Sequence, residues 1–380
     1  MKTALLLTLF LSLSAFSEEG EIHPAYMKTF QMIDEVHGKT FEYKACASDD
    51  PNAPEYCKNL YEYICSQKKS IDRRGKLDKE LMDKFWRDLP RSLTHKRFND
   101  TVKASHQIAE DSVFKLTRIS RSDIRYALTD VKTALYKFIS PTRLINEKYK
   151  SELIRRMSSV QLIYGREYVE ILVKNAKGNT PKEMSEEEVR VHANKLYMSV
   201  CGMSGLEVNA FFEGGYLVLC PGLVISMSEY GRSSQETLAA LKFTIGHEIG
   251  HSIDSAVYPD VYKKMQACYE DVSGSKDIWN VDRAAEITAD YWGALALGSN
   301  LPNMHIKALD PDQPEVNARI LAIATDGFCS NHAEPGSPHP ESTFRTNQIL
   351  AKHPYLARAL NCAPSKKDAP YCSLNGSYSN

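Results

Sequence analysis

His247 and His251 stand four residues apart with Glu248 between them, and a helix brings both imidazoles to one face. The motif His247-Glu248-Ile249-Gly250-His251 alone is only moderately specific, and the residues around it decide what it means. The two rings suit one shared Zn²⁺, with Glu248 placed to take a proton from the water that completes the coordination. An ordinary solvated helix is the competing reading, and the flanking residues argue against it. Ser233 and Glu236 form a Ser-x-x-Glu capping box, which starts a helix just upstream. Leu238, Leu241, Ile245 and Ile249 then recur at spacings of three and four, an apolar stripe beside the histidines. Gly246 and Gly250 each cost a helix about 1 kcal/mol relative to alanine. Two of them in one helix imply a closely packed neighbour.

A catalytic zinc needs a third protein ligand and an open position. Glu286, in Ala285-Glu286-Ile287-Thr288-Ala289-Asp290, is the best candidate, on a second helix-like stretch running into Tyr291-Trp292-Gly293-Ala294-Leu295. Asp290 lies one turn further on the same face, where it can accept a hydrogen bond from the far nitrogen of a ligand histidine and fix its tautomer. Asp254, three residues after His251, is placed to do the same for the other ring. These residues predict one Zn²⁺ per chain, held by His247, His251 and Glu286.

Lys2, an apolar run from Ala4 to Leu13, and small and polar residues after it read as a signal peptide spanning residues 1–17. No other apolar stretch is long enough to span a bilayer, so no membrane span is expected in the mature chain. A formal net charge of −1 over 380 residues excludes strong attraction to nucleic acid or anionic membrane. Nine cysteines in an exported chain point to disulfides, whose connectivity spacing alone does not give. Zinc binding by cysteines is disfavoured because no Cys-x-x-Cys occurs. Between residues 67 and 178 the chain reads as charged and helical. Ile124, Leu128, Val131, Leu135 and Phe138 mark one helix ended by Pro141, and another is predicted from about Arg143 to Val173. Gly178-Asn179-Thr180-Pro181 reads as a linker, followed by a Ser185-x-x-Glu188 cap.

Five regions resemble the neprilysin/endothelin-converting-enzyme family of secreted zinc peptidases. They are Cys57-Lys58-Asn59-Leu60-Tyr61-Glu62-Tyr63-Ile64-Cys65, Val208-Asn209-Ala210-Phe211-Phe212, the helix from His247 to Asp254, Glu286-x-x-x-Asp290, and the tail from His339 to Cys372. In that tail His339, Arg345, Asn347, Leu350, Pro354 and Ala359-Leu360-Asn361-Cys362-Ala363-Pro364 carry the likeness. The resemblance implies His247, His251 and Glu286 as zinc ligands and Glu248 as general base. It implies Asn209, Ala210 and Phe211 on a strand that holds the substrate backbone, Arg345 gripping a substrate carbonyl, and His339 stabilising the oxyanion. It also implies disulfides Cys57–Cys362, Cys65–Cys329 and Cys268–Cys372, leaving Cys46, Cys201 and Cys220, so that at least one thiol is unpaired or pairs between chains.

The fold class implied is mainly α-helical α+β, a thermolysin-like gluzincin catalytic domain with a small β-sheet beside the motif helix. The implied domains are an N-terminal segment 18–66, a helical cap 67–178 and a catalytic domain 179–380. The implied protein is an exported zinc endopeptidase, periplasmic or extracellular and monomeric, acting on peptides or unfolded proteins. Family members have a much larger cap, so a more open cleft is expected here. Asn209-Ala210-Phe211 with Gly214-Gly215-Tyr216 and Pro221-Gly222-Leu223 also looks like the hairpin of CAAX-processing and stress-response zinc proteases, which act in envelope quality control. A zinc-binding module without catalysis is the third reading, and retention of Glu248 argues against it.

Overall fold

The computed structural model describes residues 52–67, 71–88, 95–175, 185, 188, 201–307, 309–330, 339–362 and 371–378. Helix Ser234–Gly250, the motif helix, runs through the centre of a mainly helical structure with a small mixed sheet. Its start follows the sequence: Ser233 Oγ accepts the N–H of Glu236. The Glu236 carboxylate does not complete the box. It accepts instead from the Arg232 N–H at 2.9 Å and pairs with Arg319 at 2.6 Å. From Thr237 to Gly250 every residue but Thr244 is buried. The helix is thus covered on all sides, and the stripe from Leu238 to Ile249 is one part of its core contact.

The closest cover is helix Val281–Gly298, the carboxylate helix. A Cβ at Gly246 would lie 2.5 Å from the Ala296 Cβ and 3.1 Å from the Gly293 Cα. At Gly250 it would lie 3.0 Å from the Ala289 Cα. The neighbour implied by the two glycines is therefore the helix bearing Glu286, and their missing side chains let the backbones approach closely enough for that carboxylate to reach the histidines.

Helix Arg121–Ile139 packs on both of these helices and ends just before Pro141, where the sequence places its end. A reciprocal Ser120–Asp123 capping box starts it. The single helix predicted over about 143–173 is instead helix Glu147–Ser159, strand β1 (Gln161–Tyr164) and helix Gly165–Asn175. Leu162, Ile163 and Tyr164 suit a strand, and pairing with Tyr216–Leu219 outweighs the helical periodicity that runs across them. Strand β2 (Ala210–Glu213) and β3 (Tyr216–Leu219) form a hairpin through Gly214 and Gly215, whose φ values of 59° and 88° suit a two-residue turn. The order is β1-β3-β2, with β1 parallel and β2 antiparallel to β3, so among the described residues β2 is an edge strand. The stretch read as a cap thus supplies one strand of this sheet and one helix of the core around the motif. Strands β4 (Tyr371–Ser373) and β5 (Gly376–Tyr378) form a second hairpin. Ser185 and Glu188 exchange backbone N–H bonds as a capping pair, while the Gly178–Pro181 linker lies outside the described residues.

Cys57–Cys362, Cys65–Cys329 and Cys268–Cys372 are bonded as the resemblance implies. A fourth disulfide, Cys201–Cys220, closes the segment around the β2–β3 hairpin. All eight cysteines among the described residues are therefore paired, and Cys46 lies outside them. Four disulfides fit an oxidising compartment. Among the described residues no helix is long and apolar enough to cross a membrane. The leader lies outside the described residues.

His106 is buried, with Nε2 2.6 Å from the Gly202 carbonyl, and burial pushes its pKa from 6.5 down to about 4. The unfolded chain therefore binds this proton more tightly. Stability from His106 is complete above about pH 6.5 and is lost as pH falls towards 4, by up to ~3 kcal/mol. Urea denaturation at pH 7 and pH 5 is expected to show the loss, and His106→Gln to flatten the slope. A wild type equally stable at both pH values would refute it.

Candidate metal centre

Helical spacing brings His247 and His251 to one face, and the close approach of the carboxylate helix adds Glu286. His247 Nε2 and His251 Nε2 lie 3.2 Å apart. Glu286 Oε2 is 3.4 Å from His247 Nε2, and Oε1 is 3.6 Å from His251 Nε2. Ligand atoms about 2.0–2.2 Å from a tetrahedral ion stand roughly 3.3–3.6 Å from one another. The three residues are spaced to hold a metal ion.

The outer nitrogens reinforce that orientation. His247 Nδ1 donates to Asp290 Oδ1 at 3.0 Å, and His251 Nδ1 to Asp254 Oδ2 at 3.3 Å. With both Nδ1 protons engaged, the neutral rings turn their Nε2 lone pairs towards each other. Such a pair is stable when a cation or a proton lies between. Burial works to lower His247, but hydrogen bonds with Asp290 and Glu286 and the negative charges nearby outweigh it, taking the ring up to about 10. A metal must displace that proton to bind. Burial likewise works to raise Glu286 and Asp290, yet His247 and Arg345 hold both below the usual carboxylate range.

Arg345 is the residue whose position the sequence least anticipates. It is buried, with Nε 2.7 Å from Asp290 Oδ2 and Nη2 2.8 Å from Asp290 Oδ1, a two-pronged pair. Nη2 also lies 3.4 Å from Glu286 Oε2, and the guanidinium sits over the Phe328 ring. Arg345 thereby orients two carboxylates of the centre while bordering the adjoining cavity. His339, partly exposed, reaches Glu286 Oε2 with Nε2 at 3.3 Å, and burial lowers its pKa despite the nearby Glu286 charge.

Glu248 lines the same cavity, where burial raises its carboxyl above the ordinary range against the opposing pull of His247 and His251. Asn209 and Ala210, at the start of edge strand β2, border it as well. Phe211 does not. Alternation along β2 turns it away, its ring 5.3 Å from Tyr168. Sequence reasoning missed the cavity's other walls, which come from Leu223, Met227, Phe243, Ile323 and Phe328, with Asp326 among them. Phe243 was the recoverable one, one turn before His247 on the motif helix.

No family model matches the chain, and no curated protein matches it.

Proposed function

We propose that this chain is an exported, zinc-dependent endopeptidase with a gluzincin-type catalytic domain, akin to the neprilysin/endothelin-converting-enzyme family. The observation carrying this is the ligand-distance match of His247, His251 and Glu286, with Glu248 facing the cavity beside them. Two imidazoles and a carboxylate are a donor set that zinc takes in hydrolases.

A bound zinc supplies Lewis acidity, polarising a carbonyl oxygen and acidifying water. The chain's own residues do the rest. Glu248 takes the proton of the attacking water at its carboxylate and delivers it to the leaving amine. Burial suits it to both duties, since a raised carboxyl pKa brings gain and loss of the proton closer to neutral pH. His339 offers an N–H to the oxygen on which negative charge develops. Arg345 holds Asp290 and Glu286 in place. The β2 edge gives an extended peptide a strand to pair with, as Asn209 and Ala210 border the cavity.

The test uses the purified mature protein, with zinc content and cleavage of a quenched fluorescent peptide library measured on one sample. About one zinc per chain is expected, with cleavage abolished by a chelator and restored by zinc. Protein that holds zinc yet cleaves neither peptides nor an unfolded protein would refute the peptidase reading and favour a zinc-binding module.

A further inference from the structure

Asn347 belongs to the tail that the sequence singles out, and the centre described above does not use it. It lies in Arg345–Leu350, a single turn of π-helix after which the Ala351 N–H reaches back five residues to the Thr346 carbonyl. Such widened turns are rare and occur often at functional sites. Residues two apart on a helical turn look to different sides. Arg345 accordingly faces the carboxylate helix, with Asp290 and Glu286, while Asn347 faces away from it, onto the N-terminal helix Leu60–Ser66.

There the Asn347 amide is used at both ends. Its Oδ1 accepts the Tyr61 N–H at 3.1 Å, and its Nδ2 donates to Asn59 Oδ1, also at 3.1 Å. Asn59 Oδ1 in turn accepts the Glu62 N–H at 3.2 Å. Tyr61 and Glu62 stand in the first turn of the helix, where backbone N–H groups have no partner within it. Asn59 and Asn347 thus cap neighbouring donors, one from the residue before the helix and the other from far along the chain. The other end of the same helix is fastened as well. Cys65 is bonded to Cys329, next to Phe328, whose ring centre lies 4.1 Å from the Arg345 guanidinium carbon. The N-terminal helix therefore reaches Arg345 from two sides, through Asn347 on the same turn and through the ring under the guanidinium.

We propose that Asn347 is a positioning residue: by fastening this turn to the N-terminal helix it keeps the Arg345 guanidinium on Asp290 and Glu286. This rests on the centre holding a metal, not on the chain cleaving peptides. If the turn shifts, Arg345 leaves its two-pronged grip on Asp290, the carboxylate that orients His247. Glu286 loses a constraint on its direction at the same time. Loosening the groups that orient metal ligands lowers metal affinity. Two hydrogen bonds set the scale, since each contributes roughly two- to tenfold in an equilibrium. The Cys57–Cys362 and Cys65–Cys329 bridges keep the helix attached when those bonds are removed, so the effect stays local.

The experiment measures zinc affinity by chelator competition, and the urea midpoint of the metal-free protein, for wild type, Asn347→Ala and Asn347→Asp. Alanine removes both amide bonds and is expected to weaken zinc binding about tenfold. Aspartate keeps an acceptor for the Tyr61 N–H, and a negative charge is favourable at a helix N-terminus. It should return the affinity to within about threefold of wild type. A residue that merely anchored the N-terminal helix would lower the midpoint and leave zinc binding unchanged, and that result would overturn the proposal. Asp290→Asn supplies a readout that needs no zinc. Breaking its pair with Arg345 lowers the midpoint, and the loss should be smaller in Asn347→Ala than in wild type, because the guanidinium is already less well held. Equal losses in the two backgrounds would reject the positioning role. Should Asn347→Ala fail to fold, Asn59→Ala withdraws the amide partner without touching the turn. It is expected to weaken zinc binding too, and unchanged affinity would overturn the proposal. Wild type that binds no zinc would reject the metal reading, and the Asp290→Asn comparison would then still decide whether Asn347 holds Arg345.

Discussion

Glu248→Gln is expected to lower peptide cleavage by about 10²–10⁴-fold while leaving zinc content and thermal stability close to wild type. Glutamine keeps the shape of the side chain and removes its basicity. Glu248 is buried beside the centre without being one of its three convergent donors, so the metal loses no ligand. The buried site also loses a group whose charged form burial disfavours, so no large stability cost follows. The same reasoning sets the acid side of the pH profile. Glu248 must be deprotonated to accept a proton, so kcat/KM falls as pH drops through its pKa, and burial moves that limb upward from the ordinary carboxylate range. Cleavage by the variant within tenfold of wild type would remove Glu248 from the mechanism, and loss of zinc would make it a structural support of the centre.

Asp290→Asn is the second large effect, and it should appear in two measurements together. Asp290 is fully buried and holds His247 on one side and Arg345 on the other. Neutralising it weakens the acceptor that fixes the His247 tautomer, for which a loss of about 10–100-fold in zinc affinity is expected. It also leaves a buried guanidinium whose remaining carboxylate partner is Glu286, at the longer distance. Breaking a buried ion pair from one side costs about 3–5 kcal/mol, and the remaining Glu286 contact puts this case near the lower figure. Competition against a chelator reads the first effect and a urea midpoint the second. A stability loss with unchanged zinc affinity would confine Asp290 to packing. Unchanged stability with weakened zinc would mean that Arg345 finds its counter-charge in Glu286.

Much of the centre is legible in the chain because its spacings are local. His247 and His251 share a face by helical geometry alone, and so do Glu286 and Asp290 one helix later. The same holds for Ser233 as the start of the motif helix. Gly246 and Gly250 announced a close neighbour, although only the folded chain identifies it as the carboxylate helix. Periodicity misled where two signals overlapped. The run through Gln161–Tyr164 keeps helical spacing with its surroundings yet pairs with β3, a partner more than fifty residues away.

Read along the chain, the residues already say which helix bears the histidines, which carboxylates follow them in register, and that the described cysteines belong to a disulfide framework. Those features depend on spacings of three to four residues or on residue type, and backbone geometry translates them directly. It took the packed fold to clamp Arg345 on Asp290 and Glu286, turn Phe211 away to Tyr168, join Cys201 to Cys220, and bring the Tyr230 hydroxyl to Asp326. Most of these contacts join residues that lie tens of positions apart. Which of many chemically acceptable partners meet is set by how the helices pack, and local periodicity carries no record of it.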